Sequence, residues 1–253
     1  MANFFGGGQS PAVQAPSYGG LAIDLNPIMR SVYAWMTLGL GVTAIISLVL
    51  TNLAAPNGVM NIDVITTLSG LMIPAIIVQL LVALGLGFMV NRISPMVSGI
   101  LFFVYSAITG LTFSVIFTGL AVSGDFDAVV KAFASTAGVF AAMTVIGLTT
   151  KTDLTRMGSF LMMALIGLVI ASVINLCLRS DGFSFIISIL GVLIFTGLTA
   201  YDTQKIKEMA AEASISGDAS FGQRVAIMGA FTLYLDFINL FLYLLRLFAS
   251  NRD

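Results

Sequence analysis

Two aspartate residues stand in apolar segments where charged side chains are otherwise rare. Asp236 is the only acidic or basic residue between Val225 and Leu245, and Asp202 ends another long apolar run. An aspartate at the centre of a membrane helix costs about 2.5–3.5 kcal/mol to insert. Acids in such positions are therefore candidate functional residues.

The two aspartates are expected to act as a pair. Their segments are consecutive, so the connecting segment brings them together as antiparallel helices. Two ionised carboxylates repel each other in a medium of low dielectric constant, and such a pair can share one proton. The sequence therefore predicts that Asp202 and Asp236 form a proton sensor. The alternative for Asp202 is a carboxylate at a helix end, exposed to the cytoplasm.

Small and polar residues accompany each aspartate at helical spacing. Residues three and four apart lie on one helix face, and in a membrane bundle a polar face usually turns inward. The two faces consist of Ser184, Ser188, Gly191, Phe195, Thr199 and Asp202, and of Gly229, Thr232, Asp236, Asn239, Tyr243 and Arg246. The alternative is a packing seam with hydrogen bonds between helices, which accounts for Thr232 and Asn239 but not for a carboxylate.

Arg92 is a candidate latch for the pair. It ends another apolar run in "FMVNRISP", on the same side of the membrane as Asp202. A guanidinium group stays charged, so protonation of Asp202 would break an ion pair between them. The alternative is an ordinary cytoplasmic anchor.

The composition excludes a soluble protein. Of the 253 residues, 58% are hydrophobic and 9% are charged, whereas soluble domains carry roughly 25% charged residues. The net charge of −1 argues against nucleic acid as a partner, and the absence of histidine excludes Ser-His catalysis and histidine metal sites. The single cysteine excludes an internal disulfide.

The hydropathy pattern predicts an all-α polytopic membrane protein. About 20 apolar residues cross a bilayer as a helix. The seven runs of this kind are 31–52, 71–90, 97–121, 128–150, 159–178, 183–204 and 225–248, and a polar segment at 205–224 is predicted to separate the last two. Residues 1–28, rich in Gly, Pro, Gln and Ser, are predicted to form a flexible tail, and residues 29–253 the membrane domain.

The basic residues predict a cytoplasmic N-terminus, because Lys and Arg collect on the cytoplasmic side. With seven crossings, that side holds seven of them and the outer side four. The cytoplasmic set is Arg30, Arg92, Lys151, Arg156, Lys205, Lys207 and Arg224; the outer set is Lys131, Arg179, Arg246 and Arg252. A re-entrant last segment is the alternative.

The segments "GLTAYDTQKIK" and "LYLDFINLFLYLLR" resemble the Bax inhibitor-like family, the transmembrane Bax inhibitor motif proteins. "YSAITGLTFSVIF" and "MALIGLVIASVIN" are similar to its bacterial members. The resemblance implies seven helices with the last one central, and a proton-sensitive calcium leak gated near two aspartates. Asp202 and Asp236 match those aspartates and Arg92 the latch. The lysine-rich C-terminus of eukaryotic members is absent, which favours a bacterial cytoplasmic membrane.

Calcium enters this interpretation only through the resemblance. It takes six to eight oxygen ligands, so Asp202 and Asp236 predict weak or transient binding of a transported ion, with no resident cofactor. The supporting polar residues are Thr199, Tyr201, Thr232 and Asn239. The expected partners are the bilayer, calcium and protons, and the chain is expected to be a monomer or a small homo-oligomer.

Two other functions fit parts of the sequence. The protein could regulate a membrane-anchored protease or a stress-response partner, with the N-terminal tail as the binding segment. It could also be an intramembrane aspartyl protease, because "AYD" at 200–202 fits the first half of that signature. The second half normally reads Gly-x-Gly-Asp, whereas Leu233, Tyr234 and Leu235 precede Asp236.

Overall fold

The structure is a computed structural model that describes residues 27–89 and 93–250. Within these residues seven helices are long and apolar enough to cross a membrane, as the hydropathy pattern predicts. They are α1 (Pro27–Ala54), α2 (Ile62–Met89), α3 (Pro95–Val122), α4 (Asp127–Thr149), α5 (Thr155–Leu178), α6 (Asp181–Ser216) and α7 (Ala219–Ser250). The protein is therefore an all-α, seven-span membrane protein.

Helix α7 is the centre of the bundle. In its apolar window 72% of the residues are buried, against 11% to 44% in the other six helices. It packs against α1, α3, α4 and α6, and Leu233, Tyr234 and Leu240 are fully buried. Helices α2 and α5 lie at the periphery, so their apolar side chains face the lipid. The central position of the last helix, implied by the family resemblance, is confirmed.

The predicted polar break at 205–224 is wrong. Helix α6 continues to Ser216 and α7 begins at Ala219. Gly217 ends α6 with a φ of 69°, a left-handed conformation that glycine adopts easily. Lys, Glu, Ala and Met are good helix formers, so this segment needs no membrane to stay helical. The 36 residues of α6 span about 54 Å, well beyond a hydrocarbon core of about 30 Å.

Asp218 starts the next helix. Its carboxylate accepts a hydrogen bond of 2.8 Å from the amide of Ser220. Hydrogen bonds from the Ser220 side chain and backbone hold the pKa of this exposed Asp218 carboxyl below its usual value. The link between α6 and α7 is thus a two-residue turn, Gly217 and Asp218.

Other helix boundaries also differ from the sequence prediction, most of all at the starts of α2 and α1. Helix α2 begins at Ile62, earlier than the predicted 71, because the small and polar residues at 62–70 continue the helix. Pro27 and Ile28 belong to α1, and proline at the start of a helix costs no hydrogen bond. The rest of the predicted tail, residues 1–26, lies outside the described residues, as does Arg92.

Candidate functional site

The polar faces of α6 and α7 meet, and small residues set their register. At one end of the contact, the Tyr243 ring covers Gly191, where a Cβ atom would lie 2.5 Å from the ring. At the other end, a Cβ on Gly229 would lie 2.8 Å from Ile206. Both glycines leave the space that their neighbours fill.

Between these two contacts lie Asp202 and Asp236. Asp236 is only 4% exposed. Its carboxyl group interacts with that of Asp202 through the side chains. The Oδ2 atom of Asp236 has no hydrogen-bond partner in the described part of the chain. The predicted proximity of the two aspartates is confirmed, while their role as a proton sensor stays a prediction.

Among the described residues, Lys205 is the cation whose charge acts on the Asp202 carboxyl. The Nζ atom of Lys205 lies 5.8 Å from the centre of the Tyr201 ring. Lys207 instead donates a hydrogen bond of 2.6 Å to the carbonyl oxygen of Leu148 at the end of α4. Arg92, the predicted latch, lies outside the described residues, so its pairing with Asp202 stays a prediction.

The supporting polar residues differ in their placement. The Thr199 hydroxyl donates to the Phe195 carbonyl at 2.7 Å. Asn239 donates through Nδ2 to the Leu235 carbonyl at 2.8 Å, which leaves its side-chain oxygen to accept. Thr232 is partly buried. Tyr201 packs on Gly158 of α5, so it lies on the α5 side of α6 and not on the face shared with α7.

The two carboxyl groups are the candidate ion ligands of this site. Within 27–89 and 93–250 there is no group of three or more His, Cys, Asp or Glu side chains that could hold a metal ion. Two carboxylates supply part of the six to eight oxygens that calcium prefers. Weak or transient binding of calcium at this pair stays a prediction.

Gln204 is a structural residue that the sequence analysis missed. Its Nε2 atom donates to the Thr152 carbonyl at 2.9 Å, and its Oε1 accepts from the Leu154 amide at 2.9 Å. These bonds fasten the link between α4 and α5 to α6, two residues after Asp202. A glutamine at the end of an apolar run carries no sequence signal for such contacts.

The alternative functions gain no support from the described residues. Helix α7 is continuous through Leu233, Tyr234 and Leu235, whereas an aspartyl protease signature opens the backbone next to its aspartate. The tail that would bind a partner protease lies outside the described residues, so that interaction stays a prediction.

Within the described residues, seven membrane-spanning helices, of which α7 is central, with two acids meeting inside, define an integral membrane protein with a buried ionisable site. The model of the family described as "Inhibitor of apoptosis-promoting Bax1" matches residues 25–253. The chain belongs to this family, as the resemblance in the two aspartate segments indicates.

Bacterial relatives align over nearly the whole chain. The inner membrane protein YbhL of Escherichia coli K12 is 42% identical over 228 residues, which cover 90% of this chain and 93% of the relative. A protein of Borreliella burgdorferi is 41% identical, with 90% and 94% covered. A protein of Deinococcus radiodurans is 40% identical, with 91% and 93% covered.

Proposed function

We propose that this protein is a pH-sensitive calcium leak channel whose gate is the Asp202–Asp236 pair. The observation that carries the proposal is the pair itself, two interacting carboxyl groups inside an apolar bundle, one of them only 4% exposed. Burial of two acids side by side costs stability. A cation pathway that responds to protons requires acids inside the bundle, which would account for this loss of stability.

The pair provides both attraction and control. With at least one carboxylate ionised, the site attracts a cation into the bundle. Protonation of Asp202 removes its charge and breaks its proposed ion pair with Arg92, which frees α2 from α6. Full protonation of both acids removes the attraction for calcium. The leak should therefore rise on mild acidification and fall again at lower pH.

We also propose a location and an orientation. The name of the Escherichia coli relative favours the bacterial inner membrane. The seven-to-four distribution of Lys and Arg favours a cytoplasmic N-terminus, so the side where α1 begins is called the inner side below. A topology reporter fused after Asp253 should then report the outer side. A cytoplasmic signal would contradict the orientation or the seventh crossing.

Calcium flux into liposomes that contain only the purified protein tests the proposed function. Wild type should transport calcium with a maximum between neutral and mildly acidic pH. Asp202→Asn should lose the increase on acidification, because its side chain cannot ionise. Empty liposomes give the background, and potassium flux measures selectivity. Wild-type flux equal to the background at every pH would overturn the proposal.

A further inference from the structure

Four buried oxygen atoms near the aspartate pair lack hydrogen-bond partners. Among the described residues five buried side-chain polar atoms are unpartnered: Tyr33 Oη, Thr144 Oγ1, Thr203 Oγ1, Arg224 Nε and Asp236 Oδ2. The four oxygens come from α1, α4, α6 and α7. Buried polar groups normally have partners, and an unsatisfied one costs about 1–3 kcal/mol. Their concentration in one part of the bundle therefore calls for an explanation.

The hydroxyl groups of Tyr33, Thr144 and Thr203 face one another. The Tyr33 side chain interacts with those of Thr203 and Thr144, although none of the three oxygens makes a regular hydrogen bond within the described chain. Thr203 directly follows Asp202, which interacts with Asp236. The hydroxyl cluster therefore adjoins the aspartate pair along α6, through Thr203.

Helix register places Asp236 about one helical turn from Thr203 along the bundle. Gly229 contacts both Ile206 and Val32, so these three residues share a level. Asp236 lies seven residues, about 10 Å, further along α7, which is level with the residue seven before Ile206, Thr199. A Cβ on Gly147 of α4 would lie 2.5 Å from the Ala200 carbonyl oxygen. Thr144, one turn before Gly147, is therefore also close to that level.

Thr144 and Thr203 differ in their hydrogen bonding from other threonines of the same helices. Thr136 of α4 donates to the Ala132 carbonyl at 2.7 Å, and Thr199 of α6 donates to the Phe195 carbonyl at 2.7 Å. A helical threonine has this partner available four residues earlier. Thr144 and Thr203 do not use it, and Thr203 is fully buried. Both hydroxyls therefore remain able to bond a partner outside their own helix.

We propose that Tyr33, Thr144 and Thr203 form a water-binding site beside the aspartate pair, and that water bound there exchanges protons with Asp236. A buried water typically makes about three hydrogen bonds to polar groups that are otherwise unsatisfied. Three hydroxyl groups from three helices supply them. A water that bridges to Asp236 Oδ2 also satisfies that buried oxygen. The proposal goes beyond the calcium leak, because it holds whichever ion passes.

Proton movement through this site is a simple exchange. A hydronium ion on the inner side gives a proton to the bound water, and the water gives one of its own protons to Asp236 Oδ2. The hydroxyl groups guide the exchange and are unchanged by it. The net result is one proton moved from solvent to Asp236.

The charged groups around the site are few. They are Arg30 of α1, Asp202, Lys205, Lys207 and the exposed Glu208 of α6, and Arg224 and Asp236 of α7; α4 carries none after Lys131. Arg30 and Lys205 are exposed, and Lys207 is bonded to the Leu148 carbonyl. The two aspartates are thus the acids that can take up the proton.

Thermal unfolding of the full chain in detergent tests the water site. If no water were bound to these hydroxyls, Thr203→Val would remove an unsatisfied buried hydroxyl and raise Tm. With bound water, Thr203→Val should lower Tm by about 2–4 °C, the shift that 1 kcal/mol gives in a chain of this size. Tyr33→Phe should add little in the double variant, because both remove bonds to one water.

Thr136→Val is the matched control, since its hydroxyl has a partner in its own helix. In the double variant, the change in Tm caused by Thr136→Val should add fully to the change caused by Tyr33→Phe. An unchanged or higher Tm for Thr203→Val would overturn the water site. So would additive effects of Thr203→Val and Tyr33→Phe.

Infrared spectroscopy tests the proton exchange without any ion flux. In an Asp202→Asn background, at a pH that protonates Asp236, the carboxyl band that disappears in Asp236→Asn reports on this residue alone. Exchange of its proton for deuterium should slow at least tenfold in Tyr33→Phe or Thr203→Val, and keep its rate in Thr136→Val. Equal rates in all three would overturn the proton route, even where calcium flux is normal.

Discussion

Calcium flux through the Asp236→Asn variant is expected to fall roughly ten- to a hundredfold at neutral pH. Asparagine keeps the size of the side chain but cannot ionise, and its NH2 group donates hydrogen bonds where a carboxylate oxygen would accept them. A charged hydrogen-bonding group contributes about 1.5–3 kcal/mol, which corresponds to a population change of roughly that factor. Asp236 is the most buried acid of the site, so its charge is screened least by water.

Asp181→Asn is the matched control for this variant. Asp181 is exposed in the first turn of α6, so its loss makes the same charge change far from the pair. Flux into liposomes should stay within twofold of wild type there. An Asp236→Asn protein that folds normally and transports calcium like wild type would contradict a role for Asp236 in the pathway.

Calcium flux through Arg92→Ala is expected to be roughly ten- to a hundredfold higher than wild type at high pH. The reason is the loss of the proposed charge-assisted hydrogen bonds to Asp202, which would be worth about 1.5–3 kcal/mol, in a proposed closed state that only high pH populates fully. Asp202 remains ionised in this variant, so the ion still meets both carboxylates. The increase should shrink toward mildly acidic pH, where wild type opens by itself.

The control for Arg92→Ala is Arg156→Ala, which removes an exposed cation from the same side of the membrane. It should leave the pH profile of wild type unchanged. Identical flux through Arg92→Ala and wild type at every pH would defeat the latch. Lys205, whose charge acts on Asp202, would then be the cation to replace next, and the shared proton alone would remain as the gate.

The features that could be predicted from the sequence are those that depend on one helix or on two consecutive helices. The spacing of Gly191, Thr199 and Asp202 on α6, and of Gly229, Asp236 and Tyr243 on α7, follows the helical period, so the common face of the two helices could be derived. The boundaries at 205–224 could not, because a helix that leaves the bilayer no longer needs apolar residues and looks like a loop in hydropathy.

The hydroxyl cluster was also beyond the sequence. Tyr33, Thr144 and Thr203 belong to three helices far apart in the chain, and their meeting depends on how α1, α4 and α6 pack. Each residue alone is an ordinary hydroxyl in an apolar helix. One local sign existed, since Thr199 and Thr203 are four residues apart and therefore lie on one face of α6.

The Tyr243 ring on Gly191 determines how α7 can move. The atoms that a Cβ would meet there belong to a rigid aromatic ring, whereas those at Gly229 belong to the flexible Ile206 side chain. The ring end is therefore the natural pivot, and sliding of α7 along α6 is blocked. Asp202 lies eleven residues, about 16 Å, from Gly191 along α6, so a tilt of about 10° separates the helices by about 3 Å there. A tilt of that size would separate the two carboxyl groups by about the width of one water molecule.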